Sequence, residues 1–239
     1  MKILRTIAAV ALLLAAKQAS ATVDVSAFGG FTTFNMKAVN DTLDTIADGI
    51  KLGGFGFMEN SRINNGYYAG VDGLFTLTPG LKAGARVEML MPNSAKLRYT
   101  QADETRIDTS LILPEIGVAT EFPINGNGLS MELGAWIGYG LGYGSVISSM
   151  TAHDPNTDNF SGWDVMGEGS IKIKYRITHL ISAGLDLGYR FANVRKMFFG
   201  ADNLISGVKS GNVLRDSSND DLPFDFGGKN IGLDVNFSF

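Results

Sequence analysis

The chain has 239 residues, of which 45% are apolar and 18% are charged, and it contains 30 glycines but only 6 prolines. This composition excludes a coiled coil and a charge-rich disordered chain. The absence of cysteine excludes disulfide scaffolds, thiolate zinc sites and cysteine nucleophiles. The formal net charge of −4 predicts no nucleic-acid partner.

The first segment has the pattern of an export signal. Basic residues precede an unbroken apolar run over Ile7–Ala16, and residues 19–21 form an A-x-A cleavage pattern. We therefore expect 1–21 to be a cleaved signal peptide and 22–239 to form one domain. The apolar run is too short to span a bilayer, and no later run reaches the length of a transmembrane helix.

The rest of the chain alternates between apolar and polar residues with a period of two, which is typical of β-strands with one apolar face. Short connections alternate with long polar ones, so the pattern predicts an all-β, up-and-down antiparallel transmembrane β-barrel. Eight strands are predicted, at about 23–34, 66–77, 81–91, 110–123, 130–145, 163–175, 181–195 and 230–239.

The first long connection departs from this period. A short helix is predicted there from apolar residues at helical spacing, namely Val39, Leu43, Ile46 and Ile50. Asn40 or Asp41 is its candidate N-cap, and Gly53-Gly54 its stop. Weak alternation over Leu52 to Met58 leaves a ten-stranded barrel as the alternative.

Alternation alone does not say which face points outward, because a soluble lipocalin-like barrel has the same period with the opposite sense. Four features favour lipid outside: an export signal on a cysteine-free chain, polar faces with few long lysines, aromatic residues clustered at strand ends, and a terminal phenylalanine on the apolar face.

The sequence of the last strand resembles a known C-terminal signature. The sequence Leu233-Asp234-Val235-Asn236-Phe237-Ser238-Phe239 resembles the C-terminal signature of Gram-negative outer-membrane β-barrels, and the eight-stranded plan resembles the OmpA, OmpX and OmpW groups. The resemblance implies a monomer in the outer membrane, in contact with outer-membrane lipid and lipopolysaccharide. It also implies that the outer-membrane assembly machinery recognises the last strand through Leu233, Val235, Phe237 and Phe239.

The polar faces of the strands would then line the interior. An eight-stranded barrel has an interior just filled by side chains, so we expect a salt-bridge network acting as a structural plug, with a narrow ion path or proton relay as the alternative. Arg86 and Arg190 would each bridge several carboxylates. The predicted network comprises Asp72, Lys82, Arg86, Glu88, Glu115, Glu121, Glu132, Glu168, Lys172, Lys174, Asp186 and Arg190.

Alternate residues from Gly138 to Gly144 are glycines on this same face. Their period of two and the lack of a following helix exclude a dinucleotide-binding loop. They predict tight strand coiling, or room for bulky neighbours across the interior.

Candidate chemistry in the loops is sparse. His153 lies near Ser148, Ser149 and Ser161, an arrangement that would suit a lipid A-modifying enzyme, but no nucleophile elbow is present. We therefore expect no catalytic site, no cofactor and no metal site.

The fourth loop holds four aspartates that lack EF-hand spacing. A solvated acidic loop is expected there, with a loose divalent-ion contact as the alternative. These residues are Asp216, Asp220, Asp221 and Asp225.

The sequence thus predicts a small integral outer-membrane protein whose loops serve membrane integrity or surface adhesion and recognition. Two alternatives remain open: a narrow channel or conduit for small solutes or apolar molecules, and a lipid A-modifying enzyme.

Overall fold

The computed structural model describes residues 22–52, 59–98, 103–124, 128–150, 153–201, 209–216 and 218–239, without the side chains of 150 and 153–155. The predicted signal peptide and glycine stop lie outside these residues. The elements are β1 (Val23–Thr33), α1 (Lys37–Leu52), β2 (Glu59–Ser61), β3 (Asn65–Thr78), β4 (Leu81–Pro92), β5 (Ala95–Arg98), β6 (Glu104–Pro123), β7 (Leu129–Met150), β8 (His153–Arg176), β9 (Ile181–Phe191), β10 (Asn193–Val194), β11 (Phe198–Phe199), β12 (Phe224–Asp225) and β13 (Gly228–Ser238).

Eight strands close into an antiparallel ring in the order β1, β3, β4, β6, β7, β8, β9 and β13. The last strand returns to the first, with Asp24 opposite Ser238 and Thr32 opposite Asn230. Closure leaves the spanning strands without a free edge, which a bilayer requires because it offers no water to unpaired backbone groups. The predicted eight-stranded barrel is confirmed, and the ring does not have ten strands.

The first and last described residues, Thr22 and Phe239, lie at the end of the barrel where the strands are joined by short connections, here called the turn side. The strand ends that lead into long connections lie at the opposite end, the loop side. The β3–β4 turn contains Gly80 with φ of 80°, a left-handed conformation that favours glycine. Short turns on one side and long connections on the other are typical of transmembrane barrels.

Two predicted loops, 92–109 and 146–162, are largely strand. β7 and β8 continue far past their predicted ends, and Ile147 still pairs with Thr157 there. Outside a bilayer a strand needs no apolar outer face, so the alternation lapses while the backbone pairing continues. We call the loop-side sheet of β2, β5, β11 and the loop-side ends of β6, β7 and β8 the surface extension.

The predicted strand 181–195 ends earlier, at Phe191. Residues 192–197, here called the inward segment, then fold over the loop-side mouth and bury Val194 and Met197. The predicted polar loop 196–229 is therefore only partly a solvated loop, because Phe224 and Phe226 are also buried.

The predicted helix is present, and its buried face contains Val39, Leu43 and Ala47. Ile46 is 44% exposed, so its predicted place on the apolar face was wrong. Within the described ranges, no helix combines the length and the hydrophobicity of a transmembrane span.

Neither Asn40 nor Asp41 is the N-cap, because α1 already begins at Lys37. The buried side chain of Asn40 instead bonds the backbone of Ile63: Nδ2 donates to the carbonyl at 3.1 Å, and Oδ1 accepts from the amide at 3.0 Å. This pair joins the helix to the segment before β3.

Candidate functional site

The outer surface of the barrel is an apolar belt. Ile116 is 66% exposed, Leu233 67% and Val71 55%, while the charged side chains of Arg86 and Glu88 inside the ring are wholly buried. A protein in water has the opposite distribution, since burying apolar surface drives folding there. The belt is therefore the surface that a bilayer covers.

Aromatic side chains border this belt on the loop side. Tyr139 and Trp163 pack edge to face with ring centroids 6.1 Å apart, and Phe31 lies 5.0 Å from Tyr67. Exposed aromatics also mark the turn side. Two aromatic girdles of this kind are typical of membrane interfaces.

The final strand presents its predicted assembly residues on this belt. Leu233, Val235, Phe237 and Phe239 are all exposed. The backbone of Phe239 also exchanges two hydrogen bonds with Val23, of 2.9 and 3.1 Å, which completes the ring. Recognition of this strand by an assembly machinery stays a prediction.

The middle of the barrel contains a layer of fully buried charges, here called the central layer. Arg86 Nε donates to Glu115 Oε2 at 2.8 Å, and its Nη2 lies 2.8 Å from Glu168 Oε1. Arg190 Nη2 donates to Glu88, and its Nε lies 3.2 Å from Glu168 Oε2. Glu168 therefore joins both guanidiniums, and each guanidinium contacts more than one carboxylate.

Aromatic rings enclose this layer. The Arg86 guanidinium lies 4.5 Å from the Trp136 ring centroid and 5.3 Å from that of Phe28, a cation–π arrangement. Tyr68 donates a 3.0 Å hydrogen bond to Asp186. The barrel cross-section at this level is filled by side chains.

A second buried group centres on Lys172. Its Nζ donates to Asp72 at 2.7 Å and to Asp234 at 2.9 Å, and it lies 5.1 Å from the Phe28 ring centroid. Lys172 thus forms ion pairs with two carboxylates, one from β3 and one from β13.

The third group borders a cavity of about 520 Å³ that opens on the turn side, here called the turn-side cavity. Lys82 contacts Asp24 at 2.6 Å and also Glu121. Lys174 donates to Glu132 at 2.6 Å. The cavity therefore ends on a floor of paired charges.

All twelve residues of the predicted network lie on the inner face, and only the side chain of Glu121 keeps substantial exposure, at 25%. Sequence reasoning omitted Asp24 and Asp234, which lie on the polar faces of the first and last predicted strands and were identifiable from the same period. It also omitted the enclosing aromatics Phe28, Tyr68 and Trp136, because it considered only charged side chains for the interior.

The loop-side half of the interior is apolar, which the sequence did not predict. A cluster of buried side chains fills it, and we call it the mouth cluster. The side chains come from α1 and the residues just before it, from β5 and β8, from the inward segment, and from β12 and its flanking residues. Its members include Phe34, Met36, Val39, Leu43, Phe160, Met166, Val194, Met197, Leu222, Phe224 and Phe226.

Glycines on β7 and β8 make room for this cluster. A Cβ at Gly142 would lie 2.6 Å from Met197 Cε, and one at Gly162 would lie 2.9 Å from Val194 Cγ1. The glycine row thus provides space for bulky neighbours, one of the two interpretations proposed from the sequence.

Among the described side chains, the candidate catalytic residues do not form a catalytic arrangement. The side chain of His153 lies outside the described residues, and Ser149 Oγ donates to the carbonyl of Glu104.

The four loop aspartates do not converge either. Asp216 accepts from two backbone amides of its own turn, Asp221 pairs with Lys196, and Asp225 accepts from Asn35. In the described part of the chain, no group of acidic and histidine side chains has the arrangement of a metal site.

The outer face of the surface extension carries paired charges. Arg98 Nη2 lies 2.7 Å from Glu104, and Arg106 Nη2 lies 2.6 Å from Asp108. The Glu104 carboxylate raises the pKa of the Arg98 guanidinium above its ordinary value. This face is charged and partly exposed, unlike the belt below it.

No protein-family model matches the chain, and no curated protein sequence matches it. A major outer membrane protein from Thermus thermophilus is similar in structure, with a TM-score of 0.59 at 12% identity over 92% of this chain and 100% of that one. Neisserial surface protein A (NspA) gives 0.46 at 10% identity over 92% and 97%, and OprG from Pseudomonas aeruginosa gives 0.43 at 9% identity over 92% and 95%. The similarity to the Thermus protein, with a TM-score above 0.5, shows that the two chains share a fold.

The chain therefore has the fold of the outer-membrane β-barrels, and its apolar belt places that barrel in a lipid bilayer.

Proposed function

We propose that this protein is a non-conducting outer-membrane anchor of a Gram-negative bacterium, which holds its surface extension outside the cell for recognition or adhesion. The length of the strands carries this proposal. Trp163 marks the loop-side girdle, and β8 continues past it over 153–162, roughly 30 Å of strand. A bilayer needs only about 9–11 residues of a tilted strand, so this length serves no spanning role.

The composition of the extension supports a binding role in water. Its inner face packs against α1: the buried Ala95 of β5 and Leu43 of α1 belong to the mouth cluster, which backs the sheet. Its outer face presents Arg98, Glu104 and Arg106. A rigid scaffold with a polar outer face is the usual setting for recognition.

The filled interior supports the absence of conduction. The side chains of Arg86, Glu88, Glu115, Glu168 and Arg190 are 0% exposed, so an ion would have to displace paired charges. The mouth cluster adds an apolar barrier above them. In planar bilayers we expect no steady unitary current from the pure protein, and such a current would instead support the channel.

A shortened variant tests the recognition role. Ser145 faces Asn159 across the β7–β8 hairpin, so replacing 146–158 with Asn-Gly keeps the strand register and leaves a two-residue turn. Cells that display this variant should adhere less to host matrix and cultured cells than cells that display equal amounts of the full chain. Equal adherence would contradict the proposal.

The proposed role involves no catalysis. We expect the mass spectrum of lipid A to remain unchanged after incubation with the folded protein. A changed spectrum that is lost in His153→Ala would support the enzyme instead.

A further inference from the structure

A cleft in the outer wall of the barrel lies at the loop-side edge of the apolar belt, where β13, β1 and β3 run side by side. Its volume is about 670 Å³. We call it the outer cleft. Its lower walls are the exposed side chains of Phe31, Tyr67 and Ile231.

The upper part of the outer cleft is polar. Lys229 lies there with Thr33, Asn65 and Asn93, and its amide donates a 2.9 Å hydrogen bond to Thr33 Oγ1. The amide side chain of Asn93 donates to that of Asn65. These contacts fix the rim and leave further donors and acceptors facing the cleft.

The positive charge of Lys229 in the outer cleft has no acidic partner among the described residues. No acidic residue lines the cleft, and no ion pair joins Lys229 to another residue in the described ranges. An exposed ammonium at the border of an apolar belt attracts an anionic group at the depth of lipid head groups.

We propose that the outer cleft binds a phosphorylated glycolipid of the outer leaflet. Lys229 binds the phosphate, the side chains of Asn65 and Asn93 hydrogen-bond sugar hydroxyls, and the acyl chains lie against Phe31 and Ile231. The neutral polar groups favour a sugar-bearing head over a simple phospholipid, because a sugar offers several hydroxyls at once. This inference rests on the outer-membrane location proposed above.

Native mass spectrometry of the folded mature protein in detergent micelles tests the site. The probes are bisphosphorylated lipid A, the same lipid without phosphates, phosphatidylglycerol and inorganic phosphate. We expect bisphosphorylated lipid A to bind at least about tenfold more tightly than the other three, the usual weight of a hydrogen bond to a charged group. Equal binding of phosphatidylglycerol, or of the dephosphorylated lipid, would overturn the proposal.

Substitutions locate the binding. Lys229→Ala should weaken binding of bisphosphorylated lipid A at least about tenfold, and Lys229→Arg should retain it. Lys209→Ala, at another exposed loop-side lysine, is the matched control and should bind as the parent does. Circular dichroism checks that each variant is folded. If Lys229→Ala and Lys209→Ala bind bisphosphorylated lipid A with equal affinity, the proposed site is refuted. That result would not contradict the proposed role of the surface extension in recognition.

Discussion

Lys172 provides the sharpest test of the charged interior. The side chain is 2% exposed, and its Nζ holds Asp72 at 2.7 Å and Asp234 at 2.9 Å, both of which are wholly buried. Lys172→Met keeps an unbranched side chain but removes the charge. Two buried carboxylates then lose their cation, and breaking a buried pair in this way costs about 3–5 kcal/mol.

The companion variant separates lost charge from lost packing. In Lys172→Met combined with Asp72→Asn and Asp234→Asn, the two carboxylates that the lysine contacts directly are removed together with it, so most of the stability should return. Lys209→Met, at an exposed position, should change the free energy of unfolding by no more than about 0.5 kcal/mol.

Equilibrium unfolding in urea, followed by far-ultraviolet circular dichroism in lipid vesicles, measures these free energies. A loss below about 1 kcal/mol in Lys172→Met, the size expected for a surface pair, would refute the assignment of a buried ion pair. A triple variant no more stable than the single variant would show that packing, not charge, governs this position.

Three further predictions concern the mouth, the belt and the last strand. Gly162→Ala should cost about 1–3 kcal/mol of unfolding free energy and expose the inward segment to protease, while Gly169→Ala, which meets nothing within 4 Å, should change little. Val71→Arg on the belt should destabilise the vesicle-inserted barrel by about 2–4 kcal/mol, whereas Thr157→Arg on the extension should cost close to nothing, and equal costs would contradict the bilayer position. Deleting Phe239 should slow insertion by purified assembly machinery more than it slows spontaneous refolding into vesicles, and equal slowing would count against an assembly signal.

The spanning region was predictable because the bilayer imposes a strict rule on it. Every backbone group must pair, and every outward side chain must be apolar, so alternation such as Ile231, Leu233 and Val235 marks both the strand and its faces. The inner positions of the charged network followed from the same period. The sequence does not show which charges pair with each other. Lys172, for example, donates to Asp234, which lies 62 residues further along the chain.

The loop side was predicted poorly because no such rule acts there. β8 over 153–162 has no apolar alternation, and its pairing partner alone shows that it is a strand. Phe224 and Phe226 did carry a signal, as alternate aromatic residues within a polar stretch. Phe224 packs on Phe160 of β8, with ring centroids 5.1 Å apart, and Gly144 of β7 leaves the room that the Phe160 ring occupies. Local periodicity does not express such long-range contacts.

The two tryptophans occupy opposite sides of the barrel wall. Trp136 is 4% exposed and its Nε1 donates a 3.2 Å hydrogen bond to Ser170, while Trp163 is 65% exposed at the loop-side girdle. The chain thus carries a pair of intrinsic fluorophores in different surroundings. Brominated acyl chains should quench the emission of Trp163 and leave that of Trp136 bright, so one spectrum reports insertion and the integrity of the interior separately.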